Sequence, residues 1–214
     1  MDSVTLDCYN TQAATYADRY EAADMSALHR LLLRHLPAGC RVLEIGCGSG
    51  RDAAFLLSHG YDVTATDASP AMLTLAAQHH PELASRLHRL SFPTAYCPMP
   101  TANCPLAPPY NAILSVAMVM HLTDAELREC AAQWRDLVED EGVLVISAST
   151  DRKGLVQLRE DTGRLYCERT PEELLAMFKQ AGFTCIATHP LADLLKRDIQ
   201  WTVLILRAKP GRRG

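Results

Sequence analysis

The chain has 214 residues, 48% of them hydrophobic and 21% charged, with a formal net charge of −4. That length and balance fit one domain with a substantial core, and they exclude disordered and fibrous classes. An acidic balance also weighs against holding a nucleic-acid backbone, which needs cationic surface to neutralise phosphates. Residues 1–7 carry two aspartates and no apolar run, so no signal peptide is expected, and no stretch reaches the length of a membrane span. The eight cysteines are scattered without a CxxC pair, as suits reduced thiols, and the expected compartment is the cytoplasm.

In chain order, residues 9–36 form a helical region in which Tyr16, Tyr20, Leu28, Leu31, Leu32 and His35 recur near helical spacing, until Pro37 and Gly39 end it. Residues 41–45 are a short apolar strand, followed by a glycine-rich loop and a helix over 51–58. Residues 61–66 are a second strand, and Ser69-Pro70 supplies an N-cap and an N1 proline for a helix through Gln78. A third strand is expected over 85–90, then a proline-rich stretch over 91–109 carrying Cys97 and Cys104. Residues 111–116 read as a buried strand, Thr123 and Glu126 as a capping box opening a helix to about Val138, and 143–147 as a further strand. Thr170 and Glu173 open the next helix by the same chemistry. The last two strands, 183–188 and 201–207, are joined too closely for a parallel crossover and so pair antiparallel. The expected fold is a Rossmann-like α/β domain: an open, mostly parallel seven-stranded sheet with a terminal antiparallel strand and helices on both faces.

The loop Glu44-Ile45-Gly46-Cys47-Gly48-Ser49-Gly50 joins a strand to a helix. That arrangement brings a ligand close to backbone N–H groups at a helix N-terminus. A dinucleotide fingerprint GxGxxG/A fails from Gly46, whose last position is Arg51, and passes from Gly48, whose last position is Ala53. Because the strand ends at Ile45, Gly46 is the natural first residue of the turn, a register that disfavours the dinucleotide.

An acidic residue, any residue, then GxGxG, with a second acidic residue (Asp67) closing the next strand, resembles the class I S-adenosylmethionine-dependent methyltransferases over residues 9–207. The stretches 50–53 and 59–67 look like the small-molecule branch related to tellurite-resistance and thiopurine enzymes. The resemblance implies S-adenosylmethionine as methyl donor, leaving S-adenosylhomocysteine, with Gly46 and Gly48 under its methionine part. It also implies that Asp67 holds both ribose hydroxyls and that Glu44 orders the loop and reaches toward the ammonium. Cys47, Gly50, Arg51, Ala68, Met72, Ala117 and Met118 complete the expected cofactor contacts. Residues 1–36 are expected as a helical lid, in which Tyr16 or Tyr20, out of the trio with Tyr9, reaches the cofactor or the acceptor. Residues 37–209 are expected as the methyltransferase core and 210–214 as a tail.

Two positions depart from the family's pattern. No carboxylate follows the third strand in residues 90–95, leaving Ser91, Thr94 or backbone to hold adenine, and Asn111 stands where an aspartate begins the fourth strand. Pro108-Pro109-Tyr110 precedes that strand instead of following it, so it is not the DNA-amino methyltransferase motif. Cys97-Pro98 and Cys104-Pro105 fail as cytosine-C5 nucleophiles for the same reason and lack partners for a metal.

The active site belongs beyond the carboxyl ends of the first and fourth strands, near residues 117–121. His121 has two readings there, a general base or a residue that fixes the loop. Residues 151–169 are the expected acceptor-specificity segment, with Arg152, Arg159, Arg164 and Arg169 beside Tyr166. They suit an anionic acceptor or simply pair with Glu160, Asp161 and Glu168. The expected acceptor is a small molecule. An NAD-dependent oxidoreductase, a nucleic-acid or protein methyltransferase and a non-catalytic cofactor-binding protein are the competing readings.

Overall fold

The computed structural model describes residues 2–94, 106–150, 152–193 and 199–211. Cys97 and Cys104, the cysteines of the proline-rich stretch, lie outside the described residues.

The single N-terminal helical region is three helices: α1 (Ser3–Thr11), α2 (Ala13–Glu21) and α3 (Ser26–His35). The first begins earlier than the periodicity suggests because Asp2 caps it, its carboxylate accepting from the Thr5 N–H at 2.8 Å. Gln12, at φ −112° and ψ 20°, leaves the helical region and separates α1 from α2. Asp24 then accepts from the Ser26 N–H at 2.9 Å at the start of α3.

The rest alternates strand and helix. In order come β1 (Arg41–Ile45), α4 (Arg51–Ser58), β2 (Asp62–Asp67), α5 (Pro70–His79), β3 (Leu87–Arg89), β4 (Tyr110–Val116), α6 (Asp124–Leu137), β5 (Val138–Thr150), α7 (Pro171–Gln180), β6 (Phe183–Leu191) and β7 (Gln200–Ala208). Both capping boxes form as expected, Thr123 with Glu126 and Thr170 with Glu173. The seven strands lie in the order β3-β2-β1-β4-β5-β7-β6. β1 to β5 pair parallel, and β7 runs antiparallel to both its neighbours. The antiparallel strand is thus last in the chain but not outermost, because β6 takes the edge.

Alternate side chains of the central strands feed two cores. Leu43, Ile113, Leu144, Ile146 and Leu204 meet Leu127 and Trp134 of α6 and Phe178 of α7. Val42, Ala112, Leu114, Val145 and Ile205 meet Leu28 and Leu32 of α3 and Leu56 of α4. The period-2 burial of these strands is therefore what puts helices on both faces. The third helix of the expected lid is built into the second core. Only α1 and α2 form a separate apolar cluster, Cys8, Ala13, Tyr16 and Ala17 against Met72 of α5. No described helix is long and apolar enough to cross a membrane.

Asn111 explains its own departure from aspartate. Its Oδ1 accepts from the Arg41 N–H at 2.8 Å, and its Nδ2 donates to Glu139 at 2.7 Å. An aspartate could not donate the second bond. The strand β5 starts directly after α6, earlier than the sequence suggests, and its pairing with β4 is irregular between Tyr110 and Ala112. Gly142 sits inside this irregularity. A Cβ there would lie 2.6 Å from Val138 Cγ2 and 2.9 Å from the carbonyl oxygens of Asn111 and Glu139. We expect Gly142→Ala to cost about 1–3 kcal/mol in urea denaturation, the usual range for overpacking; an unchanged midpoint would contradict this packing.

Candidate active site

The carboxyl ends of β1, β2 and β4 open onto one cleft. As β1 ends, the N–H groups of Gly46 and Cys47 both donate to the Thr66 carbonyl of β2, at 2.8 and 2.9 Å. The next N–H, of Gly48, donates to Asp67 Oδ2 at 2.9 Å, and Ser69 N–H donates to Oδ1 at 2.8 Å. Gly46 takes φ +76°, and a Cβ there would lie 2.8 Å from Met118 Cγ, so glycine is required both by conformation and by space. Asp67 is held in place by these backbone donors, while burial pushes its carboxyl upward from the ordinary value.

Three adjoining cavities occupy the cleft. One is bordered by Gly46, Gly48, Asp67, Ala68, Leu90, Phe92 and Met118. The second is bordered by Cys47, Ser49, Arg51, Asp52 and Tyr20. The third, about 130 Å³, is walled by Tyr20, Met25, Met120, Tyr166 and Trp201, with Arg164, Glu160 and His121 among its polar groups. Tyr9 and Ala117 border all three. Ala117 stands at φ +54°, a left-handed conformation that strains a residue with a Cβ. Its N–H donates to Ser147 Oγ at 2.9 Å, which helps fix the turn at the junction.

Most of the expected cofactor contacts therefore come together: Gly46, Gly48, Asp67, Ala68 and Met118 at the first cavity, Cys47, Arg51 and Tyr20 at the second, and Ala117 at both. Gly50, Met72, Tyr16 and Glu44 border none of the three cavities. Gly50 faces α5 and the turn after it, where a Cβ would meet Ala76 and Leu83. Met72 and Tyr16 are buried together in the small N-terminal cluster. Glu44 is 2% exposed, and its Oε2 has no hydrogen-bond partner among the described residues. Burial, reinforced by the nearby Asp52 charge, raises its carboxyl well above the usual range. Neither Ser91 nor Thr94 borders the first cavity; apolar Leu90 and Phe92 do, and the Thr94 backbone is bonded to Gln133 of α6.

Arg51 is less free than its position suggests. It donates twice to Asp52 and once to the Tyr20 carbonyl, at 3.0, 2.9 and 2.6 Å, tying the end of α2 to the start of α4. The segment after β5 is similarly bound. Arg164 pairs with Glu160, Arg152 reaches Glu160 at 2.9 Å, and Arg159 makes two 2.9 Å bonds to Asp2. Arg169 pairs with Asp124 of α6 and donates to the Leu122 carbonyl at 2.7 Å. The arginines of this segment thus hold the fold together through named partners.

His121, in a short helical turn over Val119–His121, is buried. Its Nδ1 lies 2.6 Å from the Leu165 carbonyl and its Nε2 lies 3.0 Å from the Tyr9 hydroxyl. Arg164 Nη1 donates to that same hydroxyl at 3.0 Å. Burial is the main cause that pulls the imidazole down to about 4, with Arg164 adding to it. The sequence favours Tyr16 or Tyr20 over Tyr9. The place of Tyr9 at the junction depends on Arg164, 155 positions further along the chain, a pairing no local pattern reveals.

A family model for a methyltransferase domain matches residues 16–188. The chain is 26% identical over 208 residues to an uncharacterised methyltransferase of Bacillus pumilus (strain SAFR-032), covering 88% of this chain and 90% of that protein. It is 26% identical over 159 residues, 73% of the chain, to the 18S rRNA (guanine-N(7))-methyltransferase bud23 of Schizosaccharomyces pombe. The chain spans 54% of that protein's length and, through a 34-residue match at 56% identity over 16% of this chain, 11% of Hemagglutinin 1 of Eikenella corrodens. Among solved structures, 1,6-didemethyltoxoflavin-N1-methyltransferase of Burkholderia thailandensis, with 1,6-didemethyltoxoflavin and S-adenosylhomocysteine bound, shares the fold at TM-score 0.74 and 23% identity, over 97% of this chain and 88% of that one. A TehB-like SAM-dependent methyltransferase of Corynebacterium glutamicum shares it at TM-score 0.65 and 19% identity, over 93% and 99%.

The buried, neutral His121 makes a pH prediction. An unfolded histidine titrates near 6.5 and this one near 4, so between those values the unfolded chain binds the extra proton and stability falls as pH falls. His121→Asn, whose amide can still donate to the Leu165 carbonyl, should remove roughly 2 kcal/mol of the stability difference between pH 7 and pH 5 in chemical denaturation. Equal losses in both proteins would show that the imidazole is not held neutral by the fold.

Proposed function

Because this chain belongs to the methyltransferase-domain family, we propose that it transfers a methyl group from S-adenosylmethionine to a small-molecule acceptor. One observation carries this reading: the cavity floored by the glycine loop and Asp67 meets a separate aromatic-walled cavity at Tyr9 and Ala117. Such a junction gives a donor and an acceptor separate berths that touch at one point.

The residues present fit the donor. Gly46 and Gly48 leave a floor without Cβ atoms, and the Asp67 carboxylate retains lone pairs beyond those its backbone donors use. In this reading those lone pairs hold the ribose hydroxyls. The unpartnered Glu44 oxygen, buried behind the loop, offers the methionine ammonium an acceptor through a bridging water, and that ammonium would favour the ionised carboxylate against the burial that raises it. When bound, the donor supplies a methyl on a sulfonium, which is already a good leaving group. The chain's own work is then to position the acceptor and exclude water, contributions that alone reach many orders of magnitude in rate.

Helices α1 and α2 serve as the lid over this junction. They are clasped by the segment after β5 through Asp2 with Arg159, the Thr5 hydroxyl with the Leu165 N–H at 2.8 Å, and Tyr9 with Arg164. The third cavity is small, about 130 Å³, and opens only partly to solvent, which favours a metabolite over a folded RNA or protein. The acidic net charge agrees with that choice.

Calorimetric titration should show saturable binding of S-adenosylhomocysteine and none of NADH. Gly46→Ala should weaken that binding by about tenfold or more, since its methyl group must displace Met118 or the ligand. Tritium from the labelled methyl donor should then appear in a pooled small-metabolite fraction and not in tRNA or protein. Binding of NADH instead, or label confined to macromolecules, would reject the reading.

A further inference from the structure

The hydrogen bonds around Tyr9 fix which way each proton points. The Leu165 carbonyl can only accept, so at 2.6 Å the Nδ1 of His121 carries a hydrogen. A neutral imidazole then has one lone pair left, on Nε2, and at 3.0 Å the Tyr9 hydroxyl must donate to it. Arg164 has no lone pair, so its Nη1 donates to the Tyr9 oxygen. A phenol oxygen has one hydrogen and two lone pairs. Here the hydrogen and one lone pair are committed, and the second lone pair, for which the neighbouring Tyr20 side chain also competes, is the one acceptor position a ligand can take on a residue that borders the donor and acceptor cavities alike. A molecule that meets Tyr9 at this junction must therefore present a hydrogen. One offering only lone pairs there, such as a thioether, tertiary amine or carboxylate, would face lone pair against lone pair.

We propose, resting on the methyl-transfer reading, that Tyr9 is a catalytic residue that accepts the proton of an aromatic X–H acceptor and passes its own proton to His121. The acceptor class is accordingly a phenol, thiophenol or heteroaryl N–H, seated among Tyr20, Tyr166 and Trp201. As the bond from X to the methyl carbon forms, the sulfonium S–C bond breaks and its electron pair stays on sulfur. The proton of X moves to the Tyr9 oxygen while the Tyr9 proton moves to Nε2 of His121. The positive charge leaves the sulfonium and ends on the imidazolium. The groups facing that imidazolium are Tyr9 and Asp2 on the α1 side and Glu160, Arg164 and Tyr166 on the segment after β5. Glu160 and Asp2 favour the charged ring and Arg164 opposes it. The poor basicity of the buried ring makes the transfer concerted with methylation, so that no free phenolate precedes it. Arg164, locked by Glu160 and lying 5.3 Å from the Tyr9 ring centre, positions the hydroxyl.

The test has three readings on the full chain. First, S-adenosylhomocysteine is titrated into the wild type, Tyr9→Phe and His121→Asn; absent binding in the wild type would fail the methyl-transfer reading itself, and the other two measurements address the relay alone. Second, nitrogen-detected NMR of the imidazoles should find His121 as the Nδ1–H tautomer at neutral pH, with the Nε2 resonance moved by Tyr9→Phe. Third, labelled methyl donor is offered with thiophenol, para-nitrophenol, indole or, as the lone-pair-only control, thioanisole. We expect label in at least one X–H probe and none in thioanisole. Both variants should lose roughly hundredfold in kcat, with binding of S-adenosylhomocysteine within about twofold of wild type. That deficit should shrink as pH rises past the probe's own pKa, where it arrives already ionised. The proposal is overturned by a His121 hydrogen on Nε2, by label in thioanisole, by a deficit equal at every pH, or by no transfer to any X–H probe in a protein that binds S-adenosylhomocysteine.

Discussion

Everything in this site hangs on the last turn of β2. Its Thr66 carbonyl takes two successive N–H groups of the glycine loop, and its Asp67 carboxylate takes the third. Three consecutive donors pulled onto one neighbouring strand end leave the loop no choice of path, and that path requires a left-handed Gly46 with no room for a side chain. The loop therefore presents backbone to the cleft. Asp67 is aligned before any ligand arrives, which is what preorganisation means in energetic terms. The same constraint sets the entry of α4, whose Arg51 in turn anchors the end of α2.

A second set of bonds closes the cleft from the opposite side. The first nine positions of the chain and the segment after β5 are far apart in sequence, yet Asp2, Thr5 and Tyr9 each find a partner among Arg159, Leu165 and Arg164. The one ion pair among them, Asp2 with Arg159, stays partly in water and adds little stability, whereas the Leu165 N–H bond to the Thr5 hydroxyl is buried and fixes how the two segments meet. The consequence is that α1 and the segment after β5 form one unit around Tyr9. A change in either would be felt at Tyr9, which borders all three cavities.

The sequence made the donor side legible because its signals are local. The register of the glycine loop against β1, the acidic residue closing β2, two capping boxes and the antiparallel pairing of the last strands are all readable within short windows, and each takes the form those windows imply. The acceptor side was not legible in the same way. On one continuous helix Tyr16 or Tyr20 is the expected contact ahead of Tyr9, whereas with the break at Gln12 it is Tyr9 that meets His121 while Tyr16 is buried against Cys8 and Met72. The basic segment likewise read as solvated surface or as an anion site. In the structure Glu160, Asp2 and Asp124 claim its arginines, a matter of tertiary pairing that spacing does not encode. The place of β7 inside the sheet, between β5 and β6, follows the same rule: the antiparallel pairing is a local inference and the strand order is not.

The central claim is that one ligand engages the glycine loop and the N-terminal lid together, across the junction at Tyr9. Hydrogen–deuterium exchange with and without S-adenosylhomocysteine tests this most directly. Slowed exchange is predicted in residues 44–50 and, in the same titration, in α1 and α2, rising with one common midpoint. Protection of the loop with α1 and α2 unchanged, or protection that bypasses the loop altogether, would contradict the account.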